Sequence, residues 1–295
     1  MELTRLPAEV PPEDLRGRVL SVALANRPVG SVLPEVADLS ASEAYGRTIE
    51  VLGQLLDELT AAEWSAPTIE GWSVKGLVTH LVAIEEYFGR QLGLWTCDID
   101  ESLESEHLEM TRVFVASWSD RPAAEVLSRW RELTTAITTH LSSVDRSESR
   151  RSIRFHFLET SLSTVLITRV FEIWTHDEDI RRATGRPLVA PDPGRLRRMS
   201  RIAVPSVAFG MAIGGMDASG RTARIVLTGP GGGTWDQALG LGETAGRPEA
   251  IVVVDVVDYC RLAAQRIAPH EVHAAVEGDE QLARQILAGS GVFSA

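Results

Sequence analysis

Between Ser42 and Ala183 the chain repeats apolar residues at helical spacing four times, and no alternating, strand-like run separates the repeats. Four amphipathic helices in succession can bury their apolar stripes only against one another, so this stretch is expected to form a helical bundle. The first helix runs from Ser42 to about Thr60 on Tyr45, Ile49, Leu52, Leu55, Leu56 and Leu59, with a serine and a glutamate at its start. The second follows Ser73 as N-cap, with Leu77, Leu81, Ile84, Tyr87 and Phe88 on one face and Lys75, Thr79, Glu86 and Arg90 on the other. The acidic stretch DIDESLESEHLE reads as a polar connector to a third helix marked by Val126, Leu127, Trp130, Leu133, Ile137, Leu141 and Val144. The fourth spans about Ser161 to Ala183.

The pattern then changes. GRPLVAPDPGRLRR (185–198) concentrates proline, glycine and arginine as a linker does. RIAVPSVAFGMAI suits a helix, TARIVLT, TWDQALGLG and EAIVVVDV suit strands, and DYCRLAAQRI and DEQLARQILAG suit helices. GPGGGTW lacks the GK[ST] ending of a phosphate loop and stands between two strands, so it is expected to be a hairpin turn. The predicted fold class is thus mixed: a four-helix bundle followed by a small α+β domain with an antiparallel sheet. A chain of 295 residues accommodates two such cores, and the expected organisation is an extension over 1–40, a bundle over 41–190 and an α+β domain over 191–295. The extension holds one short amphipathic candidate, EDLRGRVLSVALA.

Composition narrows the function classes. A net charge of −12 opposes the phosphate neutralisation on which nucleic-acid binding depends. No apolar run reaches the length of a membrane span. The acids and prolines of the first 20 residues do not suit a signal peptide, and two cysteines, Cys97 and Cys260, cannot form a stapling framework. A reduced, cytoplasmic setting is expected, with neither nucleic acid nor membrane as partner, and with the chain a monomer or homodimer.

FEIWTHDEDIRR (171–182) sets a carboxylate and an imidazole four residues apart in an apolar run. Composition alone supplies about one acid at any fixed offset from some histidine, so the pair carries weight only in context. Val165, Thr168, Glu172, Thr175, His176 and Asp179 form one narrow stripe, while Leu166, Ile167, Val170, Phe171, Ile173 and Trp174 cover about half the circumference. One alternative is a surface stripe with an Arg169–Glu172 or Glu172–His176 pair. The other follows from His80, which lies with Leu77, Ala83, Ile84 and Tyr87 on the apolar side of the second helix and needs a buried partner, a backbone carbonyl being the plainer one. Two imidazoles and one carboxylate, His80, Glu172 and His176, make a catalytic zinc set with an open fourth position. Asp179 could then hold the non-ligating nitrogen of His176, or else pair with Arg182.

GWSVKGLVTHL together with RVFEIWTHDEDIRRATG resembles the paired signatures of the mycothiol-dependent maleylpyruvate isomerase family, within the wider DinB-like superfamily. The resemblance covers most of 41–190. VLTGPGGGTW and DYCRLAAQR are similar to that family's sterol-carrier-like α+β domain, and the first 40 residues resemble extensions of related actinobacterial proteins. It implies metal ligands at His80, Glu172 and His176, and an active-site arginine at Arg266, with Arg261 the alternative. It further implies zinc, nickel or another divalent ion, with mycothiol as cosubstrate: a thiol at the open position loses its proton and attacks a small electrophile. Addition, rotation and elimination would make an isomerase; release of the adduct would make a transferase. In either, the arginine would pair with a substrate carboxylate or enolate oxygen.

Two other function classes compete: a binding module in which the metal only stabilises the bundle, and a regulatory protein that contacts a partner through residues 1–40. Seven arginines between 181 and 201 are expected to be a solvated helix end and linker, with recruitment of an anionic substrate the alternative. His140 and His156 carry no motif and are expected to be structural.

Overall fold

The computed structural model describes residues 36, 38–96, 107–145, 147–156 and 158–293. The amphipathic candidate in the N-terminal extension, Cys97 and most of the acidic connector lie outside the described residues. No described helix is long and apolar enough to cross a membrane.

Helix α1 (Ala41–Asp57) starts one turn before the first apolar repeat because Ser40 and Glu43 form a reciprocal capping box. Helix α2 (Val74–Gln91) is capped by the Ser73 hydroxyl, which accepts from the Gly76 amide. After α3 (His107–Ser117) and α4 (Ala123–Leu141), a short hairpin of β1 (Ser152–Phe155) and β2 (Leu158–Ser161) leads into α5 (Leu162–Ala183), capped by Ser161. Helix α1 packs along α5, and α2 packs on α3, α4 and α5.

The bundle differs from the sequence expectation in three respects. The acidic connector ends in helix α3, and the β1–β2 hairpin interrupts a region expected to lack strands. Helix α2 is not half-solvated: every residue from Gly76 to Gly89 is buried. Its predicted polar face is covered by α3 and α4, and Glu86 is neutralised there by Arg129 at 2.5–2.8 Å.

Helix α6 (Pro193–Ile213) begins inside the stretch expected to be linker. Asp192 caps it through the Gly194 and Arg195 amides, and Pro193 occupies a first-turn position where no amide is needed. The remaining chain forms β3 (Thr222–Thr228), β4 (Gly233–Ala238), β5 (Ala250–Asp255), α7 (Val256–Ala263), β6 (Ala275–Gly278) and α8 (Glu280–Gly289). The sheet order is β4-β3-β5-β6. The expected antiparallel pairing holds for β3–β4, joined through the GPGGG turn, and for β5–β6, while the central pair β3–β5 is parallel. The continuous apolar runs IVL (225–227) and AIVVV (250–254) suit central strands covered on both faces.

Helices α6, α7 and α8 pack on one another and on the sheet, α6 also packs on α5, and one apolar core runs from the bundle into the α+β region. A Cβ at Gly210 of α6 would overlap the Gly289 carbonyl of α8. Gly210→Ala is therefore expected to destabilise the protein by about 1–3 kcal/mol, the usual cost of overpacking, measured by denaturant unfolding.

Candidate metal centre

Helices α2 and α5 set the site between them. His80 stands in the second turn of α2, whose register is fixed by the Ser73 cap. Arg169, Glu172, His176 and Asp179 recur every three or four residues along one face of α5. That face is not a surface stripe. His80 and His176 are 1 % exposed and Glu172 6 %, because α5 is enclosed by α1, α2, the hairpin and α6.

His80 Nε2 lies 3.1 Å from Glu172 Oε1, and the two imidazole rings are 5.1 Å apart and nearly perpendicular. One ligating atom from each of His80, Glu172 and His176 falls within a 4.8 Å set. The Nδ1 of His176 lies 3.1 Å from Asp179 Oδ2. A carboxylate acceptor assigns the proton to Nδ1 and leaves a lone pair on Nε2. That Nε2 is buried and has no hydrogen-bond partner among the described residues.

These observations test whether a metal fits. In a tetrahedral zinc site with bonds of about 2.0–2.1 Å, neighbouring ligand atoms stand about 3.3 Å apart, close to the His80–Glu172 spacing. A buried lone pair aimed at no donor is a deficit that a cation removes. Burial also pushes the His80 imidazole down to about 4, so it is neutral, the form a metal needs, throughout the physiological range. The residues present fit a divalent ion.

Arg266 follows the left-handed residue Gln265, which turns the chain back at the end of α7. Its guanidinium donates to both oxygens of Asp179 at 2.9–3.2 Å and to the Ala264 carbonyl. The alternative, Arg261, grips the fully buried Glu178 at 2.7 Å. The α+β region thus reaches the bundle through two arginines on two consecutive acids. Burial alone would raise Asp179, but His176 and the Arg266 guanidinium outweigh it and hold the carboxyl below its ordinary value. The other predicted partner of Asp179, Arg182, stands farther off at 3.6 Å.

Sequence reasoning named the Arg169–Glu172 pair, but as a surface one, and missed Glu85 and Tyr45 behind it. Arg169 is wholly buried; it donates to Glu172 Oε2 and, at 2.6 Å, to Glu85 Oε1, while the Tyr45 hydroxyl donates to Glu85 Oε2 at 2.8 Å. Tyr45 and Glu85 each sit on an otherwise apolar face, and a polar atom there was the available signal.

His156 takes the hairpin turn with φ 51°, is buried, and stacks on Tyr87 at 4.7 Å. Its amide donates to the Tyr87 hydroxyl. The arginines of 181–201 are largely taken by acids: Arg181 by Asp177, Arg182 by Glu178, Arg186 by Glu58 and Glu63, Arg195 by Asp192. Cys260 is buried, and burial pushes its thiol up, away from nucleophilic use.

Residues 46–181 match the family model described as the mycothiol maleylpyruvate isomerase N-terminal domain, a span that holds His80, Glu172, His176 and Asp179. Among solved structures, the chain is similar to a mycothiol-dependent maleylpyruvate isomerase and to a histidine-to-alanine mutant of the same enzyme. TM-scores are 0.52 and 0.53, and each match shows 15 % identity and covers 81 % of this chain and 96 % of the other. No curated protein sequence gave a significant match. The solved structures establish the fold, a helical bundle followed by an α+β region. Residues 46–181, a little under half of this chain, are thus similar to the mycothiol maleylpyruvate isomerase N-terminal domain.

Proposed function

We propose that the protein is a metal-dependent enzyme of the mycothiol family that activates a low-molecular-weight thiol for addition to a small electrophile, as a cis-trans isomerase or a thiol transferase. The observation that carries this reading is the buried His80, Glu172 and His176 set, with the His176 Nε2 lone pair lacking a partner among the described residues. A divalent ion held by these three residues, zinc in the first instance, would supply the acidity that makes a thiol nucleophilic at neutral pH.

The chain's own groups prepare that chemistry. His80 is kept neutral by burial and offers a nitrogen lone pair. Glu172 supplies the only negative charge among the three. Asp179 holds the His176 ring by its Nδ1 proton, and Arg266 holds Asp179, so we read Arg266 as acting through His176. The enclosing helices exclude water and strengthen every charge interaction inside. We take residues 41–190 and 191–295 as the two domains, with the Arg261 and Arg266 contacts as the joint between them. No fourth protein ligand joins the three in the described residues, which favours an open catalytic position over a closed structural metal site.

Mycothiol titrated calorimetrically into metal-loaded and chelator-stripped protein tests the proposal. Binding is expected only with metal present, and equal affinities would exclude thiol activation at this site. Asp179→Asn, which weakens the hold on His176, is expected to lower metal affinity by about 10–100-fold, read by competition with a chromophoric chelator.

A further inference from the structure

We infer that Arg169, held in turn by Glu85 and Tyr45, is the positioning residue that fixes the Glu172 carboxylate for the metal. The inference rests on the metal-site reading above. Three helices meet in this network: Tyr45 comes from α1, Glu85 from α2, and Arg169 with Glu172 from α5. Arg169 engages Glu172 Oε2, while Glu172 Oε1 is the oxygen 3.1 Å from His80 Nε2. The carboxylate is thereby set to present a single oxygen to an ion lying between the imidazoles.

Arg169 is fixed just as firmly at its other end. Its second nitrogen lies 2.6 Å from Glu85 Oε1, and the remaining oxygen of Glu85 accepts from the Tyr45 hydroxyl at 2.8 Å. Arg169 and Glu85 are 0 % exposed. A buried arginine–carboxylate group adds little net stability compared with apolar side chains of the same volume, because desolvation offsets the attraction. Packing alone therefore does not account for it; orientation of a metal-binding carboxylate does, since outer partners of this kind set ligand direction and basicity. Electrostatics point the same way. Glu85 and Glu172 against Arg169 leave a surplus of one negative charge, enough to favour a divalent ion without placing two carboxylates together uncompensated.

Cobalt(II) titration, followed by visible absorption and by chelator competition, tests this with a readout independent of turnover. The proteins are wild type, Arg169→Lys, Glu85→Gln and Tyr45→Phe, each with its thermal midpoint measured in chelator to register any purely structural loss. Arg169→Lys, which keeps the charge but not the two-armed grip, and Glu85→Gln are expected to bind cobalt about 10–100-fold more weakly, with a shifted absorption band. Tyr45→Phe removes one hydroxyl only, so it folds and reports the end of the network; a loss of a few-fold is expected. Variants with wild-type affinity and spectrum, whatever their melting temperature, overturn the positioning role while leaving the metal site intact. Failure of wild type itself to bind cobalt overturns the metal-site reading and this inference with it.

Discussion

Freshly purified wild-type protein is expected to carry about one zinc per chain, and His176→Ala is expected to carry none after the same preparation. The substitution removes one of three candidate ligands, so its effect should exceed the roughly 10–100-fold that loss of an outer partner costs. It also removes the buried lone pair that has no partner among the described residues, and with it the local reason for a cation to enter. Bound metal stabilises the folded state by mass action, about 2.7 kcal/mol at a free concentration one hundred times Kd. A chelator should therefore lower the wild-type melting temperature and leave that of His176→Ala unmoved, which separates metal loss from any packing defect at the same position. Elemental analysis showing no divalent ion in the wild type, or equal content in the variant, would sink the site.

The pH dependence should follow from His80. In the metal-free protein its folded pKa, about 4, lies below the ordinary value of 6.5 because burial disfavours the charged ring. The unfolded chain thus binds this proton first as pH falls. The contribution to stability is complete above pH 6.5, declines below it, and is lost by about pH 4. Over pH 7 to 8 His80 needs no deprotonation, so metal uptake there should owe no proton release to it.

How much of this was legible in the sequence depended on whether a signal was local. Ser73, Ser161 and the apolar repeats are local, and they placed α2 and α5. The metal candidates were legible because one imidazole, His80, stood on an apolar face and so had to turn inward. Glu172 and His176 share an α5 stripe that could have been solvated, and only tertiary enclosure decided that it was not. Helix α3 escaped detection because it is 11 residues long and emerges from an acidic run. The β1–β2 hairpin escaped because its strands are four residues each and its left-handed turn position is a histidine, where glycine or asparagine would have marked it. Arg266 was placed near the site by resemblance to a family. Its grip on Asp179 depends on how the two halves dock, which no spacing encodes.

Arg169 poses the sharpest stability test, because its neighbours are charged and dry. Arg169→Met fits the volume of the arginine stem but leaves Glu85 and Glu172 without their shared cation, both in the interior. Breaking a buried pair by deleting one member costs about 3–5 kcal/mol, far more than the pair itself contributes, since the remaining charge is neither hydrated nor compensated. The loss should be read by urea unfolding in chelator, so that no metal contribution enters. Removing the carboxylates along with the arginine, as Arg169→Met with Glu85→Leu and Glu172→Gln, should recover much of that stability, because no lone buried charge is left. The triple variant would nevertheless lack a metal ligand and should bind no zinc. Full stability in Arg169→Met alone would mean that water reaches these carboxylates, and the enclosed, low-dielectric site on which thiol activation depends would have to be abandoned.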